Sequence, residues 1–273
     1  MIEKITYINH INESISFGVA DIFANENTMH DFEWAVTSKN NNISSLSKKI
    51  TKKTMPVIIK CNTDEEGIAV RNRLFEVTEK DVLALKHGRL IIGDYYLKCF
   101  VTACKYSKYS LTKQYAKITL TIQTDYPMWV KENVTNFNYG LGNVGKNLDY
   151  NNDYDYDYTS NMLGKQLNNT DFVASNFIIR VYGVAENPAI TVGGHKYSVG
   201  VSVAKNEYLT IDSIKKTVIL TKQDGQEVNC FNLRSRDSYI FEKMQAGILR
   251  VSTSSNFKFD ITLLEERGVP KWT

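Results

Sequence analysis

With 273 residues, 42% of them hydrophobic and 23% charged, the chain has the composition of a folded protein and the length of about two domains. The 33 basic residues against 30 acidic ones leave a net charge of +3, which by itself implies neither a nucleic acid nor a membrane as partner. The start, Met1–Tyr7, lacks the apolar core of a secretion signal, and no window approaches the ~18 apolar residues of a membrane span, so neither secretion nor membrane insertion is expected.

Residues 5–36 read as short strands. Ile5 and Tyr7, then Ile11, Ile15 and Phe17, alternate with polar residues, and Asn12-Glu13 suits a hairpin turn. Trp34 and Val36 continue the pattern. Ser38–Leu46, rich in Asn and Ser, predicts a mobile loop. It opens a stretch carrying Lys39, Lys48, Lys49, Lys52, Lys53 and Lys60 without an acid, read as a solvated loop or edge. Met55–Cys61 is a short apolar strand that begins around Pro56. A helix follows: Asp64 is placed to cap it, Glu65 and Glu66 suit the positive end of its dipole, and Ile68, Arg71, Leu74, Phe75 and Thr78 recur at helical spacing. Thr78-Glu79-Lys80-Asp81 resembles a capping box, which predicts a second short helical piece ending at Gly88, with Val82, Leu83 and Leu85 facing inward.

Residues 95–130 are the most regular stretch. Tyr95, Leu97, Cys99, Val101 and Ala103 share one face of a strand. After a polar turn at 107–112, Ala116, Ile118, Leu120 and Ile122 share the apolar face of its partner, opposite Tyr115, Lys117, Thr119 and Thr121. Pro127 cannot donate to a ladder, so the second strand should end near Thr124. Tyr126, Met128 and Trp129 then offer an apolar surface at the exit into a second domain. Residues 131–170 read as linker and edge. From Asp171 onward the pattern is strands and turns only. The strongest strand is 177–182, with further strands at 208–211, 217–220, 228–231, 247–251 and 257–264, and tight turns at Gly193-Gly194 and Asp224-Gly225. The expected class is therefore mainly β: an N-terminal β-sandwich with one α-helix and a long β-hairpin in residues 1–132, then a β-sandwich or jelly roll in residues 133–273 that begins with a polar linker.

No constellation for chemistry emerges. Gly140-Leu141-Gly142-Asn143-Val144-Gly145-Lys146 imitates both GxGxxG and the start of a P-loop. Asn147 stands where Mg²⁺ would need Ser or Thr, and no apolar strand precedes it, so a flexible linker is the better reading. Asp153, Asp155 and Asp157 have the spacing of the first EF-hand ligands, but Tyr158 and Gly164 replace the required Gly and Glu. An edge strand with its carboxylates outward explains them better, and the acidic run from Asp149 to Asp157 is read as solvated. His10, His30, His87 and His195 are scattered, and Cys61, Cys99, Cys104 and Cys230 form no CxxC, with Cys99 and Cys104 on opposite faces of one strand; free thiols are expected. The sequons at Asn12, Asn42, Asn133 and Asn168 follow from an Asn-rich composition. No catalytic, cofactor-binding or metal-binding residue is assigned.

Several short motifs, in order, carry a resemblance. They are Ile11-Asn12-Glu13-Ser14-Ile15-Ser16-Phe17, Asn72-Arg73-Leu74, Asp125-Tyr126-Pro127-Met128-Trp129, Ile179-Arg180-Val181-Tyr182-Gly183 and Glu186-Asn187-Pro188. Next come Glu207-Tyr208-Leu209-Thr210-Ile211-Asp212, Phe241-Glu242-Lys243-Met244-Gln245-Ala246-Gly247 and Glu265-Glu266-Arg267-Gly268-Val269-Pro270-Lys271-Trp272. Over nearly its full length the chain resembles the distal tail protein (Dit) family of long-tailed phages of Gram-positive bacteria. It departs from the family at Val184-Ala185, where a proline is common, and in the Lys-rich stretch 39–53.

The resemblance implies a non-enzymatic structural virion protein of the tail tip or baseplate, assembled in the host cytoplasm without cofactors. It implies a homohexameric ring closed by the N-terminal domains around a channel for DNA, with galectin-like jelly-roll C-terminal domains outward. The implied partners are the major tail or tube protein, the tail-associated hub or fibre protein, the tape measure protein and receptor-binding proteins. The same hub could serve a phage-tail-like bacteriocin. A lectin-like protein is the alternative from another class, although residues 171–264 hold no Trp and only His195.

Overall fold

The computed structural model describes residues 4–18, 21–24, 27–107, 113–138 and 165–272. The nucleotide-like stretch 140–146, the acidic run 149–157 and most of the predicted linker lie outside these residues. The chain divides into two compact units, residues 1–131 with 266–273, and residues 132–265. The last residues thus belong with the first unit, although 1–132 and 133–273 were the expected halves.

In the first unit, β1 (Ile5–Ile8), β2 (Ser14–Phe17) and β3 (Ile22–Ala24) open the chain. They are followed by β4 (Ala35–Lys39), β5 (Asn42–Ser47), β6 (Thr51–Lys60), the helix α1 (Asp64–Ala84), β7 (Gly88–Ile92), β8 (Tyr95–Tyr106) and β9 (Tyr115–Thr124). β10 (Trp129–Phe137) then leads out of the unit. Two antiparallel sheets share β8. Its first half pairs with β7, from Gly88↔Cys99 to Ile92↔Tyr95, and with the start of β10; its second half pairs with β9, from Phe100↔Gln123 to Tyr106↔Ile118. A register shift between Val101 and Ala103 marks the handover, as a bulge that bends a strand allows. β9 in turn pairs with β6 along its whole length, Thr51↔Thr124 to Lys60↔Tyr115.

The period-two faces meet in one core: Tyr95, Leu97, Cys99 and Val101 from β8, Ala116, Ile118, Leu120 and Ile122 from β9, with Tyr7, Phe17, Met55 and Trp129. Trp129 is fully buried and pairs with Leu97, so the exit from the unit is core and not an apolar surface left open. Strand structure also continues past it, through β10 to Phe137, where a linker was expected.

The helix corrects the sequence reading in several ways. Its N-cap is Thr63, not Asp64: the Thr63 hydroxyl accepts from the Glu66 amide at 3.2 Å, and the Glu66 carboxylate accepts from the Thr63 amide at 3.2 Å, a reciprocal capping box. It also runs unbroken through Thr78, whose hydroxyl donates back to the carbonyls of Leu74 and Phe75 instead of starting a second helix. It ends at Ala84, with Leu85 in the left-handed region at φ 49°. Its buried face is Gly67, Leu74, Val77, Thr78 and Asp81, while Val82, Leu83 and Leu85 point outward. Gly88 is required for another reason: a Cβ there would sit 2.3 Å from both Asp81 Oδ2 and the Tyr7 hydroxyl.

In the second unit, β11 (Gln166–Asn169), β12 (Asn176–Tyr182), β13 (Ala185–Glu186), β14 (Ala189–Val192), β15 (His195–Ser198) and β16 (Ser202–Val203) come first. Then follow β17 (Tyr208–Asp212), β18 (Thr217–Thr221), β19 (Glu227–Asn229), β20 (Gly247–Thr253) and β21 (Lys258–Arg267), the last of which ends back in the first unit. One antiparallel sheet has the order β21-β12-β17-β18-β19, and another the order β11-β20-β14-β15. Alternate residues of both, among them Phe177, Ile179, Val181, Leu209, Ile211, Phe259 and Ile261 from one and Leu167, Ile190, Val192 and Val251 from the other, bury into a shared core. The mainly β, sandwich class expected from the alternation is what forms. Gly193, Gly194 and Gly225 take positive φ at the predicted turns, whereas the strand expected at 228–231 stops at Asn229 and gives way to a short 3-10 turn at Phe231–Leu233.

Candidate interaction surface

The four histidines are in separate places. His10 Nδ1 lies 2.6 Å from Asp81, His30 stacks on Trp272 at 3.6 Å, His87 Nε2 lies 2.9 Å from Asp125, and His195 Nε2 lies 2.9 Å from the Tyr239 carbonyl. Among the described residues, no three His, Cys, Asp or Glu side chains gather as a metal site, and no helix is long and apolar enough to cross a membrane. All four cysteines are free; Cys61, Cys99 and Cys230 are buried and Cys104 is exposed. The register shift after Val101 sets Cys104 across from Leu120, so it faces the same side as Val101 and Cys99, and not the opposite side that unbroken alternation predicts.

The most exposed element is the one read as a mobile loop. β4 and β5 form a hairpin, Ala35↔Ser47 to Lys39↔Asn42, that pairs with no other described strand. Asn40 and Asn41 both take positive φ, as the two-residue type I′ turn demands, and Asn is among the few residues that adopt it at small cost. Val36 lies across from Leu46, so the two share a face with Trp34; Ile43 projects nearer the tip. All four are exposed, Val36 by 58% and Ile43 by 68%. An isolated two-stranded hairpin is marginal in water, and open strand edges beside apolar side chains are surfaces that native proteins cover.

The base of the hairpin is fastened to its own unit. The Lys48 ammonium lies over the rings of Trp34 and Phe32, at 4.7 and 5.6 Å. Lys53 is buried, its ammonium donating to the carbonyls of Thr28, Met29 and Asp31, and burial draws its pKa down. Two lysines of the supposedly solvated run are therefore structural.

A second surface lies on the same unit. Between α1 and the outer half of β8 runs a groove of about 400 Å³. Leu74, Val101 and Leu120 form its buried floor, Phe75, Val82 and Tyr106 its exposed apolar walls, and Glu79 and Cys104 also line it. It exists because α1 carries two apolar stripes. Leu74 and Val77 enter the core, while Ile68, Phe75 and Val82, seven residues apart, stay outside it. The sequence reading merged these stripes into one. The heptad spacing of 68, 75 and 82 was the signal that separates them.

What holds α1 in place is a buried polar cluster that the sequence did not reveal. Asp81 Oδ2 accepts from the Tyr7 hydroxyl at 2.5 Å, and Asp81 Oδ1 accepts from the His10 amide at 2.8 Å. Burial, then the Asp81 hydrogen bond, pushes the Tyr7 phenol far above its ordinary value, so it remains a donor.

No protein-family model matches the sequence, and no curated protein matches it at a significant level. Solved structures do match. A chain of the phage P2 baseplate in its activated conformation with calcium superposes with a TM-score of 0.62 at 11% identity, over 99% of this chain and 100% of that one. The same baseplate with strontium gives the same values. The Dit protein of phage SPP1, described as a paradigm of the hub adsorption apparatus in phages infecting Gram-positive bacteria, superposes with a TM-score of 0.54 at 10% identity, over 96% and 99% of the two chains. At such identities the likeness gives the fold, and the fold is that of these baseplate chains.

Proposed function

We propose that this chain is a distal tail protein of the Dit type, a non-enzymatic structural component at the tip of a long phage tail. In this reading six copies form a ring. The ring joins the tail tube to the tail-associated hub or fibre protein, leaves a channel through which DNA passes beside the tape measure protein, and offers receptor-binding proteins a platform. Assembly takes place in the host cytoplasm, and the first unit closes the ring while the second faces outward.

The observation that carries this reading is the extent of the structural likeness. A match over one unit would fit many β-sandwiches. Here two different phage proteins match over at least 96% of this chain, which takes in both units. An unpartnered apolar hairpin on the first unit suits a protein that is stable as part of an assembly. The motif order from Ile11 to Trp272 adds to the same reading.

The location is tested by labelling intact particles with an antibody against this chain and imaging them by electron microscopy. Label at the end of the tail distal to the head is expected. In a phage-tail-like bacteriocin the label would mark one end of a headless tail. Label on the head, or none on any particle, would contradict the reading.

A further inference from the structure

We propose that neighbouring copies are joined by the β4–β5 hairpin of one lying in the α1–β8 groove of the next. This rests on the ring reading above and names its contact. Hairpin and groove are different surfaces of one unit, so each copy can give a hairpin and receive one. Such a head-to-tail contact is heterologous, and it closes into a ring when its rotation divides a full turn. A self-complementary patch would stop at a dimer instead.

The two surfaces match in chemistry. Trp34, Val36, Ile43 and Leu46 present an apolar hairpin left exposed among the described residues, with Lys48 over Trp34 at its base. Phe75, Val82 and Tyr106 stand exposed along the groove above an apolar floor. They also match in length. The groove follows α1 from Arg71 to Val82, about 17 Å at the helical rise per residue. A strand of five residues, the length of β4, spans about 17 Å.

Charge points the same way. From Trp34 to Thr63 the chain has no acid, and with Lys48 and Lys53 engaged in their own unit, Lys39 at the hairpin tip and Lys49 at its base remain exposed. Glu79 lines the groove, and Glu76 stands exposed one helical turn before it. Arg71 at the far end of the groove donates to the Tyr115 carbonyl of its own unit.

Cys104 makes the contact testable in the full chain. It is the exposed cysteine of the four and it lines the groove. Ile43→Cys and, separately, Leu46→Cys should cross-link to Cys104 of a neighbour under mild oxidation, giving a ladder of covalent multimers that Cys104→Ser abolishes. A second measurement uses the triple variant Val36→Ser, Ile43→Ser, Leu46→Ser. These side chains are exposed in the single chain, so its melting temperature should hold while assembly, followed by light scattering, weakens by about tenfold or more. If the parent chain assembles but neither cysteine variant gives the ladder and the triple variant assembles as the parent does, the hairpin–groove pairing is overturned and the ring stands on another contact. If the parent chain stays monomeric at every concentration, the ring reading fails and the pairing falls with it.

Discussion

Asp81 illustrates how much of the first unit depends on single residues that no local pattern singles out. It is fully buried and accepts from the Tyr7 hydroxyl and the His10 amide, joining the end of α1 to the β1–β2 turn. Asp81→Ala would leave both donors without an acceptor and should cost about 3 kcal/mol in chemical denaturation. Gly88→Ala should cost about as much, because its Cβ would press on Asp81 Oδ2 and the Tyr7 hydroxyl from 2.3 Å. The pH response follows from the Tyr7 phenol, raised by burial and by Asp81. An unfolded tyrosine loses its proton near about pH 10, and the folded one keeps it. The stability this confers is whole below that pH and drains away as pH rises toward the folded value. Cys99, whose thiol burial pushes up to about 12, acts in the same direction from its own ordinary value. Tyr7→Phe should therefore lower stability at neutral pH yet flatten its loss on the alkaline side, as seen in denaturation midpoints across pH. Native thiol labelling should modify Cys104 first, the other three reacting only on unfolding.

At the scale of elements, the legible parts are those with one face buried. β8 and β9 alternate because one side meets the core, and their period could be read directly until the shift at Val101 breaks it. The β4–β5 hairpin has no buried face, so alternation could not announce it. The available clue was Asn40-Asn41, two residues tolerant of positive φ between short apolar runs. The helix lies where its spacing predicts, but its ends differ: Asp64 is a residue type that caps helices, whereas Thr63 has both the hydroxyl and a Glu three residues on. Thr63→Ala should cost about 1 kcal/mol, visible as a lower denaturation midpoint with the slope unchanged. The groove was hidden for a related reason, since Ile68, Leu74 and Phe75 read as one narrow stripe until the core partner of the helix is known.

At the scale of the whole molecule, the return of residues 266–273 to the first unit is the feature least visible in sequence, because it depends on contacts across more than a hundred residues. Tyr126 bonds to Glu266, and Trp272 stacks on His30. A fragment of residues 1–132 would lose both, so self-association is best measured on the full chain. We propose that copies of this chain close into a ring of six. Native mass spectrometry of the purified full-length protein over a range of concentrations tests it most directly. The prediction is a discrete species at six times the chain mass that grows at the expense of monomer as concentration rises. A monomer, or an isologous dimer, that persists at the highest concentration would contradict it.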